Sequence, residues 1–356
     1  MGNRKKKQSG LVMNIILSLI CLAALTFSVF LLLTNYQLKN DLYEEVKSHE
    51  SYVEEHKDYL YTEAQVLNMI NEASADSEEK GKKSVTDFVK DHFSEGKTTA
   101  SLLRELYPEF IVVNVEGGYQ FFDILDSLKK NDYDLTCFTE NGNGYIEYND
   151  AEGHIVSKMG IDVSKHQELI DWKKVKESGV DFAFIRCGYR GNTEGKLVED
   201  EYFKRNIEGA LKNNIEVGVY FYTMARDEQE AKEEAQFVLD LIEPYDVTYP
   251  VVYDIEKSET NKPRTQGLTK EQYTKNTLIF LDTIKKSGYA PMVYGNLYTY
   301  MIMLNMEELE EYDKWFAYYQ SPVYFPYAYS VWQYSSSGVI DGIKGDVDLN
   351  ICLKEY

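Results

Sequence analysis

The chain has 356 residues, with 38 basic and 59 acidic side chains and a formal charge of −21. So acidic a surface repels a phosphate backbone, which excludes nucleic acid as a partner, and the length exceeds a single structural unit. With 30 Tyr the chain is too aromatic to be disordered throughout.

Residues 1–10 form a basic tail containing Arg4, Lys5, Lys6 and Lys7, and an uncharged apolar run follows over residues 11–33. As a helix that run is about 34 Å long, enough to cross a bilayer. The basic flank predicts that the tail stays inside and that everything from residue 34 lies outside. A cleaved signal has an apolar core of about 7–15 residues and a small-residue exit. This run is longer, and Thr34-Asn35-Tyr36-Gln37 offers no such exit, so a retained transmembrane signal-anchor is predicted.

Residues 34–83 read as a helical stalk and linker. Val46, Val53, Leu60 and Leu67 recur every seven residues, but the companion positions Leu42, His49, His56, Glu63 and Ile70 are only partly apolar. Half a coiled-coil seam predicts a juxtamembrane helix, with weak dimerisation as the sharper alternative. Polar residues 73–83 read as a break. Residues 84–157 read as a small α+β module of unknown role: a strand over 111–115, a turn at Gly117-Gly118, a helix over 121–130, and a turn over 141–144 before a strand over 145–148. It carries no catalytic constellation and is expected to be dispensable for bond chemistry.

From residue 158 short apolar runs alternate with amphipathic helices. Strands are predicted over 182–187, 216–222, 249–255, 291–294, 314–318 and 330–334, and helices over 200–213, 227–241 and 269–286. Thr269 and Gln272 have capping-box spacing. Strand–helix alternation over residues 158–356 predicts an α/β barrel, and the poor helices between the last strands predict an irregular TIM-like one. Cys21 lies in the apolar run; Cys137, Cys187 and Cys352 are far apart and imply neither a disulfide framework nor a zinc site.

Acids with aromatic neighbours punctuate this region. Asp254 and Glu256 are two apart at a strand end, so both face one side, and two carboxylates that close push one another toward protonation. Asp162 and Asp348 also follow apolar residues. Tyr220 and Tyr222 share one strand face, as do Trp315, Ala317 and Tyr319, while Gln333 points opposite to Trp332 and Tyr334. Paired acids and flat rings suit glycosidic cleavage: an acid protonates the leaving oxygen, another stabilises the cationic sugar, and rings hold pyranose faces.

In order along the chain, Gly160-Ile161-Asp162-Val163-Ser164, Gln167, Ile170-Asp171-Trp172, Gly218-Val219-Tyr220-Phe221-Tyr222, Tyr253-Asp254-Ile255-Glu256, Trp315-Phe316-Ala317-Tyr318-Tyr319, Trp332-Gln333-Tyr334 and Val347-Asp348-Leu349-Asn350 resemble the glycoside hydrolase family 25 lysozymes. The resemblance covers residues 158–356. It implies a barrel of parallel strands closed by antiparallel ones, and hydrolysis of the β-1,4 bond between N-acetylmuramic acid and N-acetylglucosamine in peptidoglycan. It further implies Glu256 as general acid, Asp254 as the residue steering the substrate acetamido group, and Asp162 and Asp348 as the other site acids, with Tyr220, Tyr222, Trp315, Tyr319, Trp332 and Gln333 as substrate-binding candidates. No metal or cofactor is implied. With the anchor, these expectations describe an extracellular muramidase on the membrane of a Gram-positive bacterium. The alternative is a catalytically inactive wall-binding scaffold on the same barrel, against which the four intact acids argue. A metal-dependent deacetylase would need His ligands, and residues 159–356 hold only His166.

Overall fold

In the computed structural model the chain is described over residues 2–55, 63–258, 260 and 262–356, with the side chains of residues 2–20, 23 and 49–63 outside that description. It divides into two compact units, Met1–His92 and Phe93–Tyr356.

The first unit is built from α1 (Gly2–Glu55) and most of α2 (Glu63–Ser94). Among the described residues no helix is long and apolar enough to cross a membrane. The first half of the apolar run, and the seam positions Val53 and Leu60, lie outside the described side chains. Within the remainder of the run, Leu22, Leu25, Phe27, Val29 and Phe30 are all exposed, as are Leu31, Leu32 and Leu33. The break expected over 73–83 is instead continuous helix. Lys80 donates to Asp76 at 2.6 Å and Lys82 to Glu78 at 2.7 Å, pairs one turn apart that support a helix with polar residues on every side.

The second unit opens with α3 (Thr99–Leu106), started by a reciprocal cap between Thr98 and Ser101. An antiparallel hairpin follows, β1 (Phe110–Val115) and β2 (Gly118–Asp123), turning through Gly117 at φ 86°. The helix expected over 121–130 does not form, because β2 claims its first residues as partners for β1. A second hairpin comprises β3 (Phe138–Glu140) and β4 (Ile146–Tyr148).

The barrel runs through β5 (Lys158–Val163), α4 (Trp172–Glu177), β6 (Phe182–Arg190), β7 (Leu197–Glu199), α5 (Phe203–Lys212), β8 (Glu216–Tyr222), α6 (Glu228–Ile242), β9 (Val251–Asp254), α7 (Lys270–Lys286), β10 (Pro291–Asn296), β11 (Asp313–Ala317), β12 (Val331–Gly338) and β13 (Val347–Cys352). The sheet order is β5-β13-β12-β11-β10-β9-β8-β6-β7, and β5 also pairs with β6, so eight strands close on themselves and β7 hangs from β6. Seven of the eight run parallel; β13 is antiparallel to both β12 and β5. The expected irregular closing half is this one reversed strand.

Period-two alternation sorts the strand residues. Phe182, Phe184, Tyr249, Val252, Met292, Trp315, Val331 and Cys352 fill the barrel interior, while Ile161, Val219, Phe221, Tyr253 and Phe316 face the outer layer. Two glycines make the inner rings fit. A Cβ on Gly160 would lie 2.2 Å from the Phe182 ring, and one on Gly218 would lie 2.5 Å from Phe184. Cys187 is buried, its thiol pushed up by desolvation, as expected of a small apolar residue.

Residues 99–157 are packed onto the barrel. Phe138 meets Trp332 edge to face at 5.5 Å, Tyr133 contacts Tyr329 at 5.2 Å and donates to its carbonyl, and Tyr324 and Tyr327 receive Val112 N–H and Leu125 N–H. Dispensability does not fit this packing.

Candidate active site

Above the aromatic filling, the carboxyl ends of β5 and β9 and the amino end of the reversed strand β13 bring four acids together. Asp162 and Asp348 are directly opposite each other on β5 and β13. Asp254 ends β9, and the alternation continues past it: Ile255 is buried outward, its carbonyl bonded by Thr299, while Glu256 stands exposed on the cleft side. The charge of Glu256 acts on Asp162, Asp254 and Asp348 alike, so the sequence-predicted quartet is one cluster.

Hydrogen bonds fix much of its geometry. Gln333 Oε1 accepts from the hydroxyls of Tyr294 and Tyr319, both at 2.8 Å, which turns its Nε2 to Asp162 Oδ2 at 2.8 Å. Trp315 Nε1 donates to Asn350 Oδ1 at 2.8 Å, which turns Asn350 Nδ2 to the same Asp162 oxygen at 2.9 Å. The indole can only donate, which fixes the Asn350 amide, and the Gln333 amide sits with its oxygen toward the two hydroxyls and its nitrogen toward Asp162. Asp162 Oδ2 is thus doubly occupied as an acceptor, and Asp162 also hydrogen-bonds Asp348.

Burial raises Asp162 well above the carboxylate range, with Asp348 and Glu256 adding to it and the two amides opposing. Asp348 is pushed up to about 6, first by desolvation and then by Glu256, while its hydrogen bond with Asp162 pulls the other way. A proton held on Asp162 and given toward Asp348 satisfies both. Asp254 is also raised by burial, then by Glu256, with which it hydrogen-bonds; Arg186 opposes. Asp254 Oδ1 is buried without a hydrogen-bond partner.

The raised Asp348 gives a signed prediction. Its ionisation penalty is absent below about pH 4, develops between about pH 4 and 6 and is complete above, so the fold loses stability as pH rises through that window. Asp348→Asn is expected to gain about 1–2 kcal/mol at pH 7 after solvent screening, roughly 2–8 °C in Tm, and almost nothing at pH 4. Thermal melts at the two pH values check this.

The aromatic candidates divide. Tyr222 and Tyr220 are half-buried on the inner face of β8, and Tyr319 is 53% exposed at the rim. Trp315 is a correction: at 1% exposure it is the floor, stacked on Phe184 at 4.4 Å, and offers no sugar platform. Trp332 is another. Lying one residue from inward-facing Gln333, it faces out, is 2% exposed, and donates Nε1 to the Tyr318 carbonyl. Three site residues escaped the sequence reading. Tyr294 lies on β10 and donates to Gln333. Asn350 shares a strand face with Asp348. Arg186 follows Phe182 and Phe184 at period two and is the cation facing Asp254, held by Asp200 at 2.7–2.8 Å.

Carboxyls clustered at the strand ends of a closed barrel, seven strands parallel and one reversed, are the equipment of glycosidic bond cleavage. Residues 161–343 match Glycosyl hydrolases family 25. The chain belongs to that family. It is 32% identical over 200 residues to the uncharacterized protein YegX of Escherichia coli K12, covering 54% of this chain and 68% of that protein. It is 29% identical over 192 residues to an autolytic lysozyme of Clostridium acetobutylicum, covering 54% of each. The modular autolysin LytC of Streptococcus pneumoniae, solved in complex with a synthetic peptidoglycan ligand, aligns at 26% identity with a TM-score of 0.51 over 68% of this chain and 56% of LytC. The chain thus spans just over half of LytC.

Proposed function

We propose that the chain is a membrane-anchored extracellular muramidase that hydrolyses the β-1,4 bond between N-acetylmuramic acid and N-acetylglucosamine in peptidoglycan. The observation that carries it is the carboxyl cluster at the open end of a family 25 barrel, with one acid exposed and three held in place. Glu256 reaches the cleft and gives its proton to the leaving oxygen. Asp254 Oδ1 lacks a partner and is suited to accept an acetamido N–H, drawing the acetamide toward the sugar carbon as the anomeric charge develops. Asp162 and Asp348 form the opposite wall, and Tyr222 and Tyr319 line the approach.

Purified cell walls test this. Turbidity should fall, and the new reducing ends should be N-acetylmuramic acid. Reducing N-acetylglucosamine would mean a different bond, and no loss of turbidity would favour the wall-binding alternative. Asp254→Asn is expected to lower turnover about 10²-fold in the same assay, through weaker stabilisation of the positive charge.

The anchor is supported by residues 11–33, uncharged and apolar, by the exposed side chains of Leu22, Leu25, Phe27, Val29, Phe30 and Leu33, and by the Arg4–Lys7 flank. Protease added to intact wall-stripped cells should remove the barrel. A barrel protected until the membrane is opened would reverse the topology. The stalk seam supports at most weak dimerisation.

A further inference from the structure

We infer that residues 99–148, which precede the family match, are a positioning element of the active site: α3 and the β3–β4 hairpin grip β12, from which Gln333 reaches Asp162, and the end of β11, beyond which Tyr319 reaches Gln333. Gln333 faces into the barrel, so its two neighbours on β12 face out, and both are held by the second hairpin. Trp332 packs against Phe138 at 5.5 Å, and the Tyr334 hydroxyl accepts Ile146 N–H at 3.4 Å. Just beyond, Tyr145 donates its hydroxyl to the Val339 carbonyl.

The second grip is on the β11 end. Tyr319 donates to Gln333, and its neighbour Tyr318 turns outward, stacked on Phe316. Arg104 of α3 donates from Nη1 to the Tyr318 hydroxyl at 2.8 Å, and its guanidinium lies 4.3 Å from the Tyr324 ring centre. Tyr324 in turn donates to the Phe110 carbonyl and accepts from Val112 N–H. The main chain completes the link: Tyr318 N–H donates to the Gln333 carbonyl at 3.0 Å. A continuous line therefore runs from Arg104 through Tyr318 and Tyr319 to Gln333 and Asp162. Arg104 and Tyr318 are positioning residues, since they act on the cleft only through Tyr319 and Gln333.

The kinetic consequence rests on the hydrolytic reading of the site; the structural one does not. In the full-length chain, Arg104→Ala and the isosteric Tyr318→Phe should each lower kcat about tenfold with KM little changed, because misplacement and not binding is affected. In a Tyr319→Phe background the same substitutions should cost less than about twofold, since they act through the hydroxyl already removed. Independent, multiplying losses would overturn the proposal. Glutamine side-chain amide NMR supplies the second arm, with the Gln333 signal assigned by its loss in Gln333→Glu. That signal should shift or broaden in Arg104→Ala and in Tyr318→Phe. An unchanged Gln333 amide in both folded variants would overturn the proposal even if the wild-type chain hydrolysed no peptidoglycan.

Discussion

Glu256→Gln is expected to fold as the wild type does and to turn over at least about 10²-fold more slowly, with KM little altered. The substitution keeps the shape and the hydrogen-bonding reach but removes the transferable proton. Glu256 is the quartet's exposed member, whereas Asp254 is 4% and Asp162 6% exposed, and Asp348 is held on the antiparallel strand. A general acid must reach a glycosidic oxygen carried by a bulky polymer, and the exposed residue meets that requirement. Removing the Glu256 charge also relieves Asp254, Asp162 and Asp348, whose pKa values it raises. The pH profile of the residual activity should therefore move to lower pH. Glu307→Gln, an exposed acid outside the cluster that accepts from Ser127, is the control and should leave the rate unchanged. Near-wild-type turnover in folded Glu256→Gln would transfer the acid's role to Asp162 or Asp348.

The acids were legible because period-two strand geometry is local. Asp254 and Glu256, and equally Asp348 and Asn350, share a face whatever the rest of the chain does. The strands and helices expected from residue 182 onward lie within a few residues of their places, since apolar periodicity and caps such as Thr269 are also local, but β7 and the closing strand β13 had not been expected. What was not legible is depth. Alternation puts Trp315 and Ala317 on one face, but only closure of the barrel shows that Trp315 sits one layer beneath the cleft. Trp332 was misjudged despite a usable signal: it cannot share the face of Gln333, its neighbour on the strand. Arg186 was hidden because an Arg after four apolar residues reads equally as a strand end. The helix through residues 73–83 was missed because composition suggested a break, while the Asp76–Lys80 and Glu78–Lys82 spacing carried the opposite message.

A chain beginning at Ser157 is expected not to form a stable barrel. Its cut would remove Phe138, Tyr133 and Leu128, and would uncover Trp332, Tyr334, Tyr327 and Tyr329, which contact residues 125–146 and are at most 9% exposed in the intact unit. Baring a buried large apolar side chain costs about 1.5–3 kcal/mol. Even two or three of these four would consume most of the roughly 5–15 kcal/mol by which a domain is stable. Bonds are lost as well as area. The Tyr324 and Tyr327 hydroxyls would lose Val112 N–H and Leu125 N–H, and Arg104 would no longer hold Tyr318. The truncated chain should therefore aggregate or melt many degrees lower than a chain beginning at Phe93, which keeps the whole second unit. Parallel melting curves and soluble yields of the two chains check this. A Ser157 chain that melts cooperatively near the same temperature would show that the barrel carries its own core, and that residues 93–157 act only at the rim.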